Sequence, residues 1–274
     1  MRLLITARGC PYTCAWCSHA VFGLTHRRRA VKDVADEVAH LLERWGPDRL
    51  WYADDVLTIH PRWFFAYAAL LKARGLRLPF ECISRADRLN ERLVDTLAEM
   101  GCYRLWIGSE SGSQAVLDAM ARRTKVEEVQ AMTHLLKRRG IQTGMFIMLG
   151  YEGEDTPQLE ETVEHLKKAD PDLFLTTVAY PIKGTPYYTE VESRVLSDKP
   201  WDDRTDRDLT VAGRHSRRFY SFATRWMVNE VAFHKLWHSS DKQPLRLAKT
   251  YVNSKLGRVG MALTAGETET GGQG

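Results

Sequence analysis

The 274-residue sequence has no long apolar run and little excess charge. No stretch approaches the roughly 18 consecutive apolar residues that a membrane span requires. Residues 1–6 lack the apolar core of a secretory signal peptide. The formal net charge of +4 is smaller than is typical of nucleic-acid-binding proteins. The basic run at 27–29 is interpreted as a solvated loop. We therefore expect a cytoplasmic protein with no nucleic-acid partner.

Cysteine is also scarce, yet three of the five cysteines lie close together. Cys10, Cys14 and Cys17 have the spacing CxxxCxxC. In a reducing compartment, clustered cysteines bind metal more often than they form disulfides. Closed iron–sulfur and structural zinc sites usually take four protein ligands, so three thiols leave one position open. The pattern predicts a cluster in which one iron can bind a further ligand.

A structural zinc site is the alternative interpretation of the cysteines, with His19 or His26 as the fourth ligand. It is disfavoured because such sites usually pair two CxxC knuckles, and the sequence has no second one. Cys82 and Cys102 stand apart, in or beside apolar runs. Cysteines in such positions are typically core residues, so we expect no metal ligation from them.

Short apolar runs alternate with longer amphipathic segments through the first part of the chain. Because parallel strands need long connections, six such repeats predict a parallel sheet with helical crossovers. No seventh and eighth repeat follows, which favours a partial (β/α)6 barrel over an eight-fold one. The predicted strands are 3–7, 50–53, 80–83, 104–108, 143–149 and 173–180. The predicted helices are about 32–45, 61–74, 90–100, 113–121, 125–139 and 155–169.

The fold class is therefore predicted to be α/β, with a partial (β/α)6 barrel over residues 1–195. Residues 196–264 change in character and predict a helical C-terminal extension, with helices at 217–237 and 245–263. Residues 265–274 are small and polar, which predicts a disordered tail.

The CxxxCxxC spacing, with Trp16 before the last cysteine, resembles the signature of the radical S-adenosylmethionine superfamily. In that family the motif follows the first strand of a six-stranded partial barrel. The resemblance implies an enzyme whose [4Fe–4S] cluster is held by Cys10, Cys14 and Cys17 and whose open iron binds S-adenosylmethionine. It also implies an electron donor such as flavodoxin or ferredoxin. Reductive cleavage would then yield a 5′-deoxyadenosyl radical that takes hydrogen from a small-molecule substrate.

Residues at the ends of the later strands are, by the same resemblance, the expected cofactor contacts. Asp54 and Asp55 follow the second strand, where the family places groups facing the amino end of S-adenosylmethionine; a pair of helix-capping aspartates is the alternative. Ser109 and Glu110 would meet the ribose or the methionine moiety, or Glu110 would cap the next helix. The other expected contacts are Trp16, Ser84, Arg85, Arg122, Met148 and Tyr180.

The segments ESGS, GYEGE and YPIKGTPYY follow the fourth, fifth and sixth predicted strands. They resemble the radical domain of cobalamin-associated enzymes, including anaerobic porphyrin-ester cyclase-like proteins and class B methyltransferases. Methyl transfer and oxidative cyclisation are the reactions that this branch implies. The sequence as given begins at the first predicted strand. We therefore expect no cobalamin-binding domain in this chain, and cobalamin, if used at all, on a separate partner.

Two further functions remain open on the residues alone. One is an iron–sulfur protein for electron transfer or sensing that does not cleave S-adenosylmethionine. Such a protein would not need the β-α repeats or the acidic strand ends. The other is a barrel that has lost catalysis, which the presence of all three cysteines disfavours.

Overall fold

The computed structural model describes residues 1–21, 23–197, 199–241 and 243–270. Its principal sheet has six parallel strands in chain order, with the first and the sixth at the two edges. The strands are β1 Arg2–Leu4, β2 Leu50–Tyr52, β3 Phe80–Ser84, β4 Cys102–Glu110, β5 Gln142–Leu149 and β6 Leu173–Val178. This arrangement confirms the predicted α/β class and partial barrel.

Helices connect successive strands, as the repeat pattern predicts, and further helices follow the sixth strand. They are α1 Val31–Trp45, α2 Pro61–Ala73, α3 Glu91–Met100, α4 Gln114–Ala119, α5 Val126–Arg138, α6 Thr156–Ala169, α7 Pro186–Val191, α8 Arg217–His238 and α9 Pro244–Thr264. Asn90 caps α3 by accepting a hydrogen bond from the Leu93 amide at 3.0 Å. None of the described helices is both long and apolar enough to cross a bilayer.

The main core lies between the sheet and the helices that cover it. Phe80, Leu105, Ile107 and Met145 are fully or almost fully buried there. Buried apolar residues are expected on a parallel sheet covered by crossover helices. Cys82 belongs to the same core, and Cys102 is buried beside it, so the prediction that these two cysteines are core residues is confirmed. The core fixes the strands, and their carboxyl ends form a common rim.

The structure differs from prediction around β1, which ends at Leu4. The Thr6 and Ala7 amides donate to a carboxylate instead of a neighbouring strand, which ends the ladder there. Ala7–Arg8 then pairs antiparallel with Arg27–Arg28. The prediction of a solvated loop at 27–29 is wrong for Arg28, because its side chain is only 6% exposed.

Helices α8 and α9 form a hairpin that packs on α6. A Cβ atom at Gly257 would lie 2.5 Å from the Trp226 backbone nitrogen, so the two helices approach closely. After α9, the backbone of Glu269 hydrogen-bonds to that of Gly213 and Arg214. This part of the predicted tail is therefore held against the extension, while residues 271–274 lie outside the described residues.

Candidate active site

The cysteine motif forms a loop at the carboxyl end of β1. Cys10 and Cys14 are buried and Cys17 is half-buried. Burial is the main cause that raises the pKa of Cys10, and the adjacent Asp55 and Cys14 raise it further. Burial likewise raises the pKa of Cys17 to about 11, with Cys14 and Cys10 adding to the effect. Each thiol thus makes ionisation of its neighbours less favourable, so thiolates in this loop need a compensating positive charge. The described residues contain no group of three or more His, Cys, Asp or Glu side chains already arranged to hold a metal ion.

The loop is fixed to the rim through its backbone. The Ala15 amide donates to the Met120 carbonyl at 3.0 Å, and the Ala15 carbonyl accepts from the Tyr187 amide at 3.0 Å. Gly9, just before the first cysteine, has φ of +86°, and a Cβ there would lie 2.1 Å from the Thr25 carbonyl oxygen. Only glycine fits this position, and it allows the chain to turn toward the rim just before Cys10.

Two buried arginines point at one of the thiols. Arg85 Nη1 and Arg122 Nη1 each lie 3.7 Å from Cys14 Sγ. The two residues are only 2% and 6% exposed. Guanidinium groups remain charged in proteins and donate strong hydrogen bonds to anions. The donors around Cys14 therefore fit a thiolate, which is the form that ligates iron.

Arg122 lies between two residues with strained backbone and is held by a hydrogen bond to β4. Its neighbours Ala121 and Arg123 have φ of 51° and 53°, in the left-handed region. That region costs non-glycine residues about 1–2 kcal/mol each. Arg122 Nη2 donates to the Gly108 carbonyl at 2.6 Å, and a Cβ at Gly108 would lie 2.6 Å from the same nitrogen. Strain of this kind is concentrated at functional sites.

Glu110 ends β4 beside the same arginine. Its φ is 64°, and the register between β4 and β5 shifts just before it. Oε1 lies 3.8 Å from Arg122 Nε. Burial raises the pKa of Glu110, while Arg122 and Arg85 act in the opposite direction. Glu110 lies before the strand-to-helix turn rather than at the start of α4, so the capping alternative is not what the structure has.

Asp54 and Asp55 have different environments although they are adjacent. Asp54 is buried, and both its oxygens accept donors from the chain: the Thr6 amide and hydroxyl, the Ala7 amide and Arg28. These donors occupy the lone pairs that a carboxylate offers. Asp55 is partly exposed, lies near Cys10, and pairs with His19 at 2.8 Å. With these partners, neither carboxylate caps a helix. Of the two, only Asp55 retains lone pairs that can accept further hydrogen bonds at the rim.

Two of the predicted contact residues are hydrogen-bonded to other side chains of the protein. The Ser84 hydroxyl is 2.6 Å from the Thr58 hydroxyl. The Ser109 hydroxyl is 2.9 Å from His165 Nε2 of α6, and Gln130 contacts the other ring nitrogen. Burial lowers the pKa of His165 to about 4, so its ring is neutral at pH 7. Ser109 is thus directed toward the helical layer.

The last three predicted contacts lie toward β5 and β6. Trp16 and Met148 pack in one apolar cluster, together with the buried Tyr151 and Tyr187. Tyr180 instead lines a separate cavity of about 440 Å³ between the end of β6 and the extension. The structure therefore brings Trp16 and Met148 together at the rim, while Tyr180 lines the cavity beside the extension.

Arg214 and Glu154 were not predicted from the sequence, although both are built into the β5 side of the rim. Arg214 Nη1 donates to the Gly150 and Ala179 carbonyls, at 3.1 and 2.5 Å, and fastens the extension to the ends of β5 and β6. Glu154 Oε2 accepts from the Gly150 amide. Burial raises the pKa of Glu154 to about 8. No sequence spacing indicates either role.

Comparison with protein families decides the identity of the fold. Residues 4–166, which are more than half of the chain, match the model of the radical SAM superfamily. The chain belongs to the radical SAM superfamily. This match confirms the family resemblance and the enzyme class that are predicted from the cysteine motif. The matched region of this radical SAM chain contains the cysteine loop, Arg85, Glu110 and Arg122.

Curated relatives agree with the predicted branch. The radical SAM chain is 25% identical over 215 residues to an uncharacterised methyltransferase of Pyrococcus horikoshii, covering 78% of this chain and 47% of the relative. It is 29% identical over 191 residues to the anaerobic magnesium-protoporphyrin IX monomethyl ester cyclase of Rubrivivax gelatinosus, covering 69% and 34%. The chain thus spans between a third and half of the length of these relatives.

A solved structure extends the fold comparison into the extension. The cobalamin-dependent S-adenosylmethionine radical enzyme OxsB, determined with aqua-cobalamin and S-adenosylmethionine, superposes with a TM-score of 0.66 at 15% identity. The match covers 95% of this radical SAM chain and 46% of OxsB. At this identity the likeness shows the fold alone, and it includes most of the α8–α9 region.

Proposed function

We propose that this protein is an enzyme that cleaves S-adenosylmethionine reductively and uses the resulting radical on a small organic substrate. A [4Fe–4S] cluster on Cys10, Cys14 and Cys17, with S-adenosylmethionine on its open iron, supplies the electron and the 5′-deoxyadenosyl radical. The observation that carries the proposal is the pair of buried guanidiniums on Cys14 Sγ, at the carboxyl ends of six parallel strands. Open α/β folds keep their ligand sites at such ends.

Charged residues of the rim have complementary roles in this proposal. Arg85 and Arg122 offset the negative charge of the thiolates, and Arg122 also attracts the cofactor carboxylate. Asp55 and Glu110 accept from the cofactor amine and its ribose hydroxyls, because a cation and a hydroxyl both need acceptors. Asp55 lies beside Cys10 and Glu110 beside Arg122, which supports contacts near the cluster.

We assign Asp54, Ser84 and Ser109 to positioning instead of cofactor contact. Their polar atoms are engaged by Thr6, Thr58 and His165. Asp54 ties the end of β1 to β2 and so orients the loop that begins two residues after Ala7. The serines fix the ends of β3 and β4, from which Arg85 and Glu110 project.

Apolar residues of the rim are suited to the adenine. Trp16 and Met148 share one cluster beside the cysteine loop, and a flat ring gains contact area there. Tyr180 lines the 440 Å³ cavity, and we assign it to the edge of the site. A dry surface on this side would keep a reactive radical from water.

We base the proposed reaction subclass on the relatives named above. A methyltransferase and a ring-forming cyclase are both among them, so methyl transfer and oxidative cyclisation are the proposed reactions. The proposal includes a flavodoxin- or ferredoxin-like electron donor, and a cytoplasmic, reducing location that keeps the thiols free. A cobalamin-binding partner would be required for a cobalamin-dependent reaction, unless the whole protein carries such a domain.

The decisive experiment is anaerobic reconstitution with iron and sulfide, followed by dithionite and S-adenosylmethionine. We expect an iron–sulfur absorption spectrum and release of 5′-deoxyadenosine and methionine in equal amounts. A cluster that forms without cleavage would favour an electron-transfer or sensor protein. Tightly bound zinc without a cluster spectrum would contradict both functions.

Substitution of the cysteines tests the ligand assignment directly. Cys14→Ala is expected to abolish cluster assembly and cleavage, while circular dichroism shows the α/β fold retained, because the loop lies outside the main core. Cys82→Ser is the matched control, since Cys82 is also buried but lies in the main core. It should lower stability and leave cluster assembly intact. A full cluster in Cys14→Ala, or its loss in Cys82→Ser, would contradict the assignment.

A further inference from the structure

Helix α9 exposes a continuous row of large apolar side chains. Leu245, Val252, Leu256, Val259 and Leu263 are between 49% and 88% exposed. They recur at intervals of seven, four, three and four residues, which places them on one face of the helix. We call these five residues the apolar stripe. Isolated apolar residues on a surface are ordinary, but a contiguous row of them marks an interaction site.

The opposite face of α9 already has its partner. The residues that are buried there include Ser254, Gly257, Gly260 and Met261. A Cβ at Gly260 would lie 2.3 Å from the Phe222 ring of α8, so this face is closely packed. The small residues thus make the hairpin, and the stripe is not needed to hold α9 on the protein.

Charge distinguishes between the partners that could cover the stripe. Between Pro244 and Thr264 the sequence contains four basic residues and no aspartate or glutamate. Lys249 and Lys255 lie three or four residues from stripe residues on either side, so they flank it. Two copies of α9 placed face to face would bring these lysines together with no acidic residue of α9 to pair them. A negatively charged surface is the complementary partner.

Aromatic side chains extend the exposed face at one end of the hairpin. Trp237 is 54% exposed and Tyr251 48% exposed. Both contact Phe233, at ring-centroid distances of 5.8 and 5.4 Å. Tryptophan and tyrosine favour the interface between lipid headgroups and acyl chains, where an apolar body and a polar tip are both accommodated.

From these features we infer that α9 docks the protein onto an anionic lipid surface. The apolar stripe enters the headgroup region, Lys249 and Lys255 contact the lipid charges, and Trp237 and Tyr251 lie at the interface. An amphipathic helix with basic flanks binds in the plane of a membrane in this way, without crossing it. The cytoplasmic leaflet carries the required negative charge. This inference is independent of the proposed chemistry.

Co-sedimentation of the full chain with lipid vesicles tests the inference. We expect binding to vesicles of phosphatidylcholine and phosphatidylserine in equal parts, and little binding to phosphatidylcholine alone. The double variant Leu256→Glu/Leu263→Glu should abolish this binding. Lys249→Ala/Lys255→Ala should weaken it about 30-fold at low salt, because two basic contacts to the anionic surface are lost.

Matched controls separate the stripe from general surface effects. Trp45→Glu changes another exposed apolar residue, at the end of α1, and should leave vesicle binding unchanged. Lys32→Ala/Lys72→Ala removes two exposed lysines from α1 and α2 and should have little effect. Circular dichroism verifies that each variant is folded. Failure of the full chain to bind the vesicles that contain phosphatidylserine would overturn the inference. So would a dimer in sedimentation analysis that Leu256→Glu/Leu263→Glu dissociates, because a second copy would then cover the stripe.

Discussion

The two halves of the rim differ in the hydrogen-bond partners that they give to a buried carboxyl group. The polar half, at the ends of β1 to β4, buries Asp54 with four donors around its oxygens. The apolar half, at the ends of β5 and β6, buries Glu154, which accepts from the Gly150 amide on one oxygen and has no partner on the other among the described residues. Burial raises the pKa of both carboxyl groups, but at Asp54 the hydrogen bonds from Thr6 and Ala7 and the charge of Arg28 oppose the rise. At Glu154 fewer groups oppose it, and burial raises the pKa to about 8.

This difference indicates what each half can hold. Ion pairs and paired donors in the polar half create fixed charges around the cysteines, which would suit the anionic cluster and the charged cofactor of the proposed function. Packed aromatic rings in the apolar half provide an apolar surface beside the cysteine loop, which suits a flat, uncharged ring. The halves meet at the cysteine loop, which hydrogen-bonds to Met120 on one side and to Tyr187 on the other.

Asp54→Ala is expected to have the largest effect on the polar half. It leaves Arg28, whose side chain is 6% exposed, without its acidic partner. Removing one member of a buried ion pair costs about 3–5 kcal/mol. Denaturant unfolding should show this loss, together with impaired cluster assembly. The adjacent Asp55→Ala is the control and should cost less than about 1 kcal/mol, because its pair with His19 is partly exposed. Equal losses in the two variants would contradict the distinction.

Glu154→Gln tests the apolar half through the pH dependence of stability. The folded-state pKa of about 8 lies above the ordinary value of 4.5. Between these values the unfolded chain has lost its proton while the folded chain retains it, so this group makes the free energy of unfolding fall as pH rises. Glutamine removes that fall. From pH 5.5 to 7.5 the variant should gain about 2–3 kcal/mol relative to the unsubstituted protein.

The control for this pH profile lies in the same turn. Glu152→Gln changes a partly exposed carboxylate that pairs with Arg194 at 3.0 Å. It should leave the pH slope unchanged. Arg214 and Tyr220 interact electrostatically with Glu154. Guanidinium groups remain charged in proteins, and burial raises the pKa of Tyr220, so neither contributes to the pH slope over this range. A Glu154→Gln profile parallel to that of the unsubstituted protein would show that this acid is ionised in the fold.

Sequence predicts those parts of the molecule whose cause is local. The six strands and the cysteine loop depend on nearby periodicity, spacing and residue type. The family resemblance predicts a cofactor contact for Asp54, and this remains a prediction. Its partners Thr6 and Arg28 are distant in the chain, so these contacts cannot be assigned without coordinates. Arg214 was missed for the same reason, because its acceptors are backbone carbonyls about 35 and 64 residues away. Chain order thus predicts where the rim lies, but not which of its groups are already paired.

The smallest expected effect, and the most specific to the polar half, concerns Arg122 and rests on the proposed cluster. Arg122→Gln removes one of the two guanidiniums from Cys14 Sγ but leaves Arg85. Loss of a positive donor to a cluster sulfur stabilises the oxidised form, so the reduction potential should fall by about 60 mV, the one-electron equivalent of a tenfold change. Arg123→Gln is the matched control because that side chain is exposed. If the potential falls equally in both variants, overall charge and not the contact with Cys14 tunes the site. A fall confined to Arg122→Gln would assign the electrostatic role of the polar half to the contact with Cys14 Sγ.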